Sequence, residues 1–167
     1  MPQDVCAMRI LIVLTSPEKL PTGERIGFQL EDFALAYYGF GDLGMEVVIA
    51  SSQGGEPFYL RNTSPPVPLI ERFQADQAAR ISLSDTLRLD QIHADDFAAL
   101  FCLGEQDDSA GDLVGHFRKL GKPVALTSPD GTLYVERDDV LVTGQNTASI
   151  PAAVQLIGRM LMSKSLP

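Results

Sequence analysis

Residues 8–15 read Met-Arg-Ile-Leu-Ile-Val-Leu-Thr, and an unbroken apolar run from Ile10 to Leu14 ends there in a hydroxyl side chain. A continuous run rich in β-branched residues, without polar alternation, is typical of a strand that is buried on both faces. Central strands of parallel sheets have this environment. We therefore predict that residues 8–15 form the first strand of an α/β domain.

Further along the chain, three similar runs alternate with helical patterns. The apolar segments 45–50, 97–103 and 124–127 are predicted strands. Residues 51–70 read as a long connection that holds one irregular strand near Phe58. The helices are predicted from apolar residues spaced three or four positions apart. The first helical stripe comprises Ile26, Leu30, Phe33 and Tyr37; the second helix spans 109–120, with Ser109 as N-cap and Gly121 as its stop; the last stripe comprises Ile150, Val154, Ile157 and Leu161.

After the fourth strand the pattern becomes antiparallel. Ser128-Pro129-Asp130-Gly131 is a strong turn sequence, because Pro presets one dihedral angle and Gly accepts a positive φ. Residues 132–136 and 140–143 then form a hairpin. The predicted fold is a three-layer α/β domain, flavodoxin-like or Rossmann-like, with a mostly parallel sheet, helices on both faces and a C-terminal β-hairpin.

Composition bounds the function. The chain has 167 residues, 45% of them hydrophobic, and a formal charge of −9. We expect one domain over residues 8–163, between a flexible N-terminus (1–7) and a C-terminal tail (164–167). An acidic surface repels phosphate backbones and anionic headgroups, so neither nucleic acid nor membrane is expected as a partner. A small-molecule or protein ligand remains.

No signal peptide or membrane-spanning run is apparent, so we expect a cytoplasmic protein in which Cys6 and Cys102 are reduced. Two cysteines and two histidines without paired spacing predict no metal site, and no motif predicts a cofactor.

The expected ligand site lies at the carboxyl ends of the parallel strands, where diverging loops leave a crevice. Polar residues follow the predicted strands there. The expected rim comprises Thr15, Glu31, Gly104, Glu105 and Ser128.

A series of short motifs, in this order, resembles the ThiJ/PfpI superfamily, most closely its chaperone and glyoxalase branch. The resemblance runs from residue 8 to about residue 157, and it implies the fold of class I glutamine amidotransferases. The motifs are Thr22-Gly23, Gly27-Phe28, Leu30-Glu31, Gly44-Met45-Glu46-Val47, Gly54-Gly55, Asp85-Thr86-Leu87, Gly121-Lys122-Pro123-Val124-Ala125 and Thr143-Gly144-Gln145-Asn146.

The resemblance also implies a chemistry, and this chain departs from it. Family members use a cysteine at a strand-to-helix elbow, followed by a histidine, with a glutamate beside the sulfur. Glu31 matches the glutamate, but Ser128 stands in the place of the cysteine and Pro129 in that of the histidine. Gly104-Glu105 replaces the family's Gly-Gly-His-Gly, and the segment that normally follows the elbow is missing.

Ser128 would need a base to act as a nucleophile. The two histidines, His93 and His116, are expected toward the amino ends of the strands, His116 about 14 Å from Ser128. Simple structural interpretations also exist: Ser128 as the first residue of a turn, Glu31 as a partly solvated helix residue and Cys102 as a packed thiol.

Three hypotheses follow. The first is a catalytically degenerate ThiJ/PfpI-like domain that binds a small molecule or a protein and forms a homodimer, as the resemblance implies. The second is retained hydrolase, glyoxalase or deglycase activity through Glu31 with a substitute group, Cys102 or Glu105. The third is a holdase chaperone that uses apolar surface around Phe58 and Pro65-Pro66.

Overall fold

The computed structural model describes nine ranges of the chain: 9–14, 28–51, 54–55, 59–60, 68–103, 108–127, 132–137, 140–145 and 154–159. The strands are β1 (Arg9–Leu14), β2 (Phe28–Gln29), β3 (Glu46–Ser51), β4 (Tyr59–Leu60), β5 (Leu87–Arg88), β6 (Ala99–Leu103), β7 (Val124–Thr127), β8 (Thr132–Arg137) and β9 (Val140–Gln145). The helices are α1 (Leu30–Asp42), α2 (Pro68–Ala75), α3 (Gln77–Ser84), α4 (Asp108–Lys119) and α5 (154–159), and two short 3-10 turns span Leu89–Gln91 and Ala94–Asp96.

Seven strands form the main sheet, in the order β5-β3-β1-β6-β7-β8-β9. The first five are parallel, and β7-β8-β9 are antiparallel. A separate parallel pair joins β2 to β4. The predicted fold, with a mostly parallel sheet and a C-terminal hairpin, is confirmed, and the four predicted parallel strands lie within two residues of their predicted limits.

Two apolar layers explain why β1 is hydrophobic throughout. Successive side chains of a strand point to opposite faces of the sheet. Ile10, Ile12 and Leu14 pack in a cluster with residues of α1, α2, α3 and α5, whereas Leu11 and Val13 pack with residues of α4. Helices therefore cover both faces, as predicted.

The ends of α1 and α4 orient the molecule. Each helix ends in a glycine with positive φ, Gly44 at 86° and Gly121 at 69°. In each case the next residue donates its backbone N–H to the carbonyl five positions earlier, from Met45 to Phe40 and from Lys122 to Phe117. This Schellman closure reverses the chain into the following strand. Both helices thus run from the edge where the parallel strands end, the carboxyl edge, to the edge where they begin, the amino edge.

Two sequence expectations need correction. The first helix begins at Leu30, not at Ile26, because Phe28 and Gln29 pair with β4; Ile26 itself lies outside the described residues. The second expectation left out the helices α2 and α3, which the sequence analysis did not predict. Each has only eight residues, and Asp76 separates them by accepting a hydrogen bond from the Ala79 N–H, which starts a new helix.

Candidate functional site

The carboxyl edge has the backbone geometry that the predicted rim requires. Leu14 pairs with Leu103 and Cys102 with Leu126, so β1, β6 and β7 end side by side. Thr15, Gly104, Glu105 and Ser128, predicted to line this rim, lie outside the described residues.

Glu31, the match to the family glutamate, is the second residue of α1. Because α1 runs from the carboxyl edge to the amino edge, the backbone of Glu31 lies at the carboxyl edge. Its side chain is not among those described. The topology therefore brings the backbone of Glu31 to the edge at which β7 ends.

The connection after β7 differs from a strand-to-helix elbow. Thr127, the last residue of β7, pairs with Leu133 of the antiparallel strand β8. The strand that follows β7 in the sequence therefore runs back beside it in the same sheet. The predicted hairpin of β8 and β9 follows directly, in continuous register from Thr132 with Gln145 to Arg137 with Val140.

A buried pair of hydroxyl groups lies at the end of β3, and the sequence analysis did not identify it. The Ser51 and Thr86 side-chain oxygens are 2.6 Å apart, and the two residues are 3% and 5% exposed. Thr86 donates its proton to the Gly55 carbonyl, so Ser51 donates to Thr86. Because every hydroxyl proton is used within the protein, this pair joins β3 to the entry of β5 and is not arranged to react.

The segment just after Ser51 carries a sequence signal that could have revealed the pair. Gly54 and Gly55 have φ of 75° and 69°, and the backbones of Gly55 and Thr86 form an antiparallel bridge. A Cβ at Gly54 would lie 2.6 Å from Arg88 Cγ. A glycine doublet after a strand thus marks a close return of the chain.

Cys102, proposed as a substitute nucleophile, is only 1% exposed and packs in the cluster on the α4 face. The interpretation as a packed thiol is confirmed. A thiol buried among apolar side chains has no access to substrate. Cys6 lies outside the described residues.

Both histidines lie at the amino edge. His93 precedes β6, and His116 lies in the last turn of α4. Together they line an open cleft of about 320 Å³. Neither imidazole is near the carboxyl edge, where Ser128 would need a base.

Within the nine described ranges, no group of three or more His, Cys, Asp or Glu side chains is arranged to hold a metal ion. In the same part of the chain, no helix combines the length and the apolar character needed to cross a membrane.

Comparison with known proteins gives a likeness of structure and not of sequence. No protein-family model matches the chain, and no curated protein matches it. Among solved structures, a Rapid Encystment Protein of 24 kDa from Francisella tularensis aligns with a TM-score of 0.74 and 12% identity, over 92% of this chain and 99% of that one.

Two further structures carry descriptions that bear on the motifs. A ThiJ/PfpI domain protein from Brachyspira murdochii aligns with a TM-score of 0.61 and 14% identity, over 94% of this chain and 98% of that one. Glyoxalase III from Candida albicans aligns with a TM-score of 0.52 and 17% identity, over 72% of this chain and 56% of that one. At these identities the likeness establishes the fold, and the resemblance indicated by the motifs is confirmed at that level: the chain has the ThiJ/PfpI fold.

Proposed function

We propose that the chain is a catalytically degenerate ThiJ/PfpI-like domain that works by binding a small molecule or a protein. One observation carries this proposal: the next described element after β7 is the antiparallel strand β8, with Thr127 paired to Leu133. The position that corresponds to the family nucleophile therefore follows a strand that turns back into the sheet.

This topology matters because of how a nucleophile is activated. In a strand-to-helix elbow, the first turn of the helix presents unpaired N–H groups and a positive dipole end, which stabilise a thiolate or an oxyanion. Here the element that follows β7 is the antiparallel strand β8, which supplies no helix N-terminus. In the sequence Ser128 comes between β7 and β8, outside the described residues, and the two imidazoles lie at the opposite edge.

The alternative function is retained hydrolase, glyoxalase or deglycase activity. The position of Glu31 at the carboxyl edge supports it, because that is where the family glutamate would act. Against it stands Cys102, whose burial removes one of the two substitute groups. Glu105 is the other.

Turnover of methylglyoxal and cleavage of peptides by the purified full chain test the proposal. We expect rates no higher than those of a heat-denatured sample. A rate typical of the family, lost in Glu31→Gln and kept in the neighbouring Asp32→Asn, would overturn the proposal in favour of the alternative.

The binding partner is proposed to include a second copy of the chain, in the cytoplasm. Exposed apolar side chains support an interaction surface beside the edge strand β5: Leu87 of β5 is 45% exposed, and Ile81 of α3 is 56% exposed. The mass in solution, measured by light scattering after gel filtration, should equal two chains and return to one in the double variant Ile81→Glu, Leu87→Glu. A monomeric parent chain would contradict the dimer. The chaperone hypothesis depends on Phe58 and Pro65-Pro66, which lie outside the described residues.

A further inference from the structure

The cleft at the amino edge is separate from the predicted rim. It opens between the segment that leads into β6 and the last turn of α4. Its lining residues are Ile92, His93, Ala94, Asp95, His116, Lys119 and Leu120. The chain contains two histidines in all, and both line this cleft although they are far apart in sequence.

The walls of this cleft are fixed by the protein itself. Lys122 donates from Nζ to the carbonyl oxygens of Ala94, at 2.8 Å, and Phe97, at 2.7 Å. Ala94 and Phe97 are buried and pack with Phe117 of α4. One wall, the segment 92–95, is tied to Lys122 in the turn after α4, and the other wall is α4 itself. The spacing of the two walls is therefore set before any ligand arrives.

The lining combines three kinds of chemistry. Lys119 supplies an ammonium, each imidazole supplies ring nitrogens and Asp95 supplies a carboxylate. Ile92 and Leu120 add apolar surface, and Leu120 is one of three large apolar side chains strongly exposed within the described ranges. Within the described ranges, the side chains of His93, Asp95, His116 and Lys119 form no ion pair or hydrogen bond with another residue. Their donors and acceptors therefore remain available to a ligand.

The balance of charge selects the ligand class. A metal ion lacks a set of three ligands here. A simple anion would meet both Asp95 and a protein of net charge −9, and a simple cation would meet Lys119. A zwitterion has no net charge to be repelled, and it offers a carboxylate for the Lys119 ammonium and an ammonium for the Asp95 carboxylate.

We propose that the cleft lined by His93, Asp95, His116 and Lys119 binds a free amino acid with an apolar side chain. Lys119 and the imidazole N–H groups bind its carboxylate, Asp95 binds its ammonium, and Ile92 with Leu120 contacts its side chain. A volume of about 320 Å³ is at the lower end of small-molecule sites and suits a ligand of this size. This site is independent of the proposed function, because it lies at the other edge of the sheet.

The test is a titration of the full chain followed by NMR of the two imidazole groups, which report on the cleft and on nothing else. Three probes of similar shape are compared: L-phenylalanine, 3-phenylpropanoate, which lacks the ammonium, and 2-phenylethylamine, which lacks the carboxylate. We expect L-phenylalanine to shift both imidazole signals and to bind about fivefold more tightly than either analogue, the upper range for exposed charge pairs.

Variants assign the contacts. Lys119→Gln should weaken L-phenylalanine binding while leaving 2-phenylethylamine no weaker, and Asp95→Asn should weaken L-phenylalanine while leaving 3-phenylpropanoate no weaker. Arg80→Gln, which removes an exposed cation from α3, is the matched control and should change none of these affinities. All three sites are exposed, so the variants are expected to fold.

Three results would overturn the proposal. One is the absence of a shift in both imidazole signals with L-phenylalanine at millimolar concentration. Another is equal or tighter binding of either analogue, which would identify an anion or a cation site. The third is saturable binding of Zn²⁺ to both imidazoles with no response to L-phenylalanine, which would identify a metal site.

Discussion

The two edges of the sheet differ in what they contribute. At the carboxyl edge, the ends of β1, β6 and β7 and the start of α1 meet as the family motifs predict, yet β7 turns back into the sheet. At the amino edge, no motif predicts a site, yet both imidazoles, a lysine and an aspartate share one cleft. The edge that resembles the family in its backbone is thus not the edge at which the two histidines lie.

The separation of the edges decides what these groups can do together. Strand β6 has five residues and rises about 3.3 Å per residue, so the edges are about 16 Å apart. An imidazole at one edge cannot take a proton from a hydroxyl at the other. The histidines therefore contribute nothing to catalysis at residue 128, and any role that they have belongs to the amino edge.

The largest expected effect concerns Lys122, which fixes the amino edge. Lys122→Met removes the donor to the Phe97 carbonyl and one of two donors to the Ala94 carbonyl, which also accepts from the Phe97 N–H. Since hydrogen bonds from charged donors are strong and these carbonyls are partly buried, we expect a loss of about 2 to 3 kcal/mol in the free energy of unfolding. Urea denaturation measures it.

Lys119→Met is the matched control, since this lysine is exposed and lies in the same region. Its stability should change by no more than about 0.5 kcal/mol, while binding of L-phenylalanine is weakened about fivefold. Equal destabilisation by both variants would show that Lys122 does not clamp the cleft.

A smaller effect is expected at the carboxyl edge, where Ser51 and Thr86 share a buried hydrogen bond. Ser51→Ala leaves the Thr86 hydroxyl one donor short, and Thr86→Val leaves Ser51 without an acceptor. Each should cost about 1 to 2 kcal/mol, and the double variant less than the sum, because a lone buried hydroxyl is worse than none. Additive losses in urea denaturation would show that the two hydroxyls do not act as a pair.

The smallest effect is a pH dependence that arises where α1 meets the junction of α2 and α3. Asp76 accepts hydrogen bonds from the Ala79 N–H and the Tyr38 O–H, which lower its pKa. The folded carboxyl thus has a lower pKa than the unfolded one, so its stabilisation is present at neutral pH and is lost as the pH falls from about 5 toward 2. In Asp76→Asn, the urea concentration at the midpoint of unfolding should fall less steeply as the pH is lowered over this range.

Tyr38 produces a loss of stability at alkaline pH. Burial, and then its hydrogen bond to Asp76, raise the pKa of Tyr38 above the ordinary value of 10.0. Since the unfolded phenol ionises first, stability is lost as the pH rises above about 10. Tyr38→Phe should remove the alkaline loss. If Asp76→Asn and Tyr38→Phe left the acid and alkaline losses of stability unchanged, other ionisable groups would be responsible for the pH dependence.

The fold could be predicted because its decisive signals are local. An apolar run such as residues 10–14 identifies a strand covered on both faces, and Gly44 and Gly121 mark helix ends that return the chain. The helices α2 and α3 escaped prediction, since eight polar-rich residues carry too few turns to show a period. The first helix was placed too early because Phe28 belongs to a pairing with Tyr59, which only the tertiary structure reveals.

The site was harder to predict, because it depends on contacts between distant residues. Strand order placed Glu31 at the carboxyl edge and both histidines away from it. Nothing in the sequence relates His93 to His116, since their approach results from Lys122 and the packing of Phe97 on α4. The hydroxyl pair of Ser51 and Thr86 was missed for the same reason: these residues are 35 positions apart in sequence, with β4, α2 and α3 between them.

The central claim is that position 128, which follows β7 and precedes the antiparallel strand β8, does not activate a nucleophile. The most direct measurement restores the family cysteine in Ser128→Cys and follows its alkylation by iodoacetamide against pH, with the parent chain as background for Cys6 and Cys102. We predict half-maximal reactivity near pH 8.5, about the ordinary pKa of a thiol, and no turnover of methylglyoxal. Half-maximal reactivity at about pH 7 or below, shifted upward by Glu31→Gln and accompanied by turnover, would contradict the account.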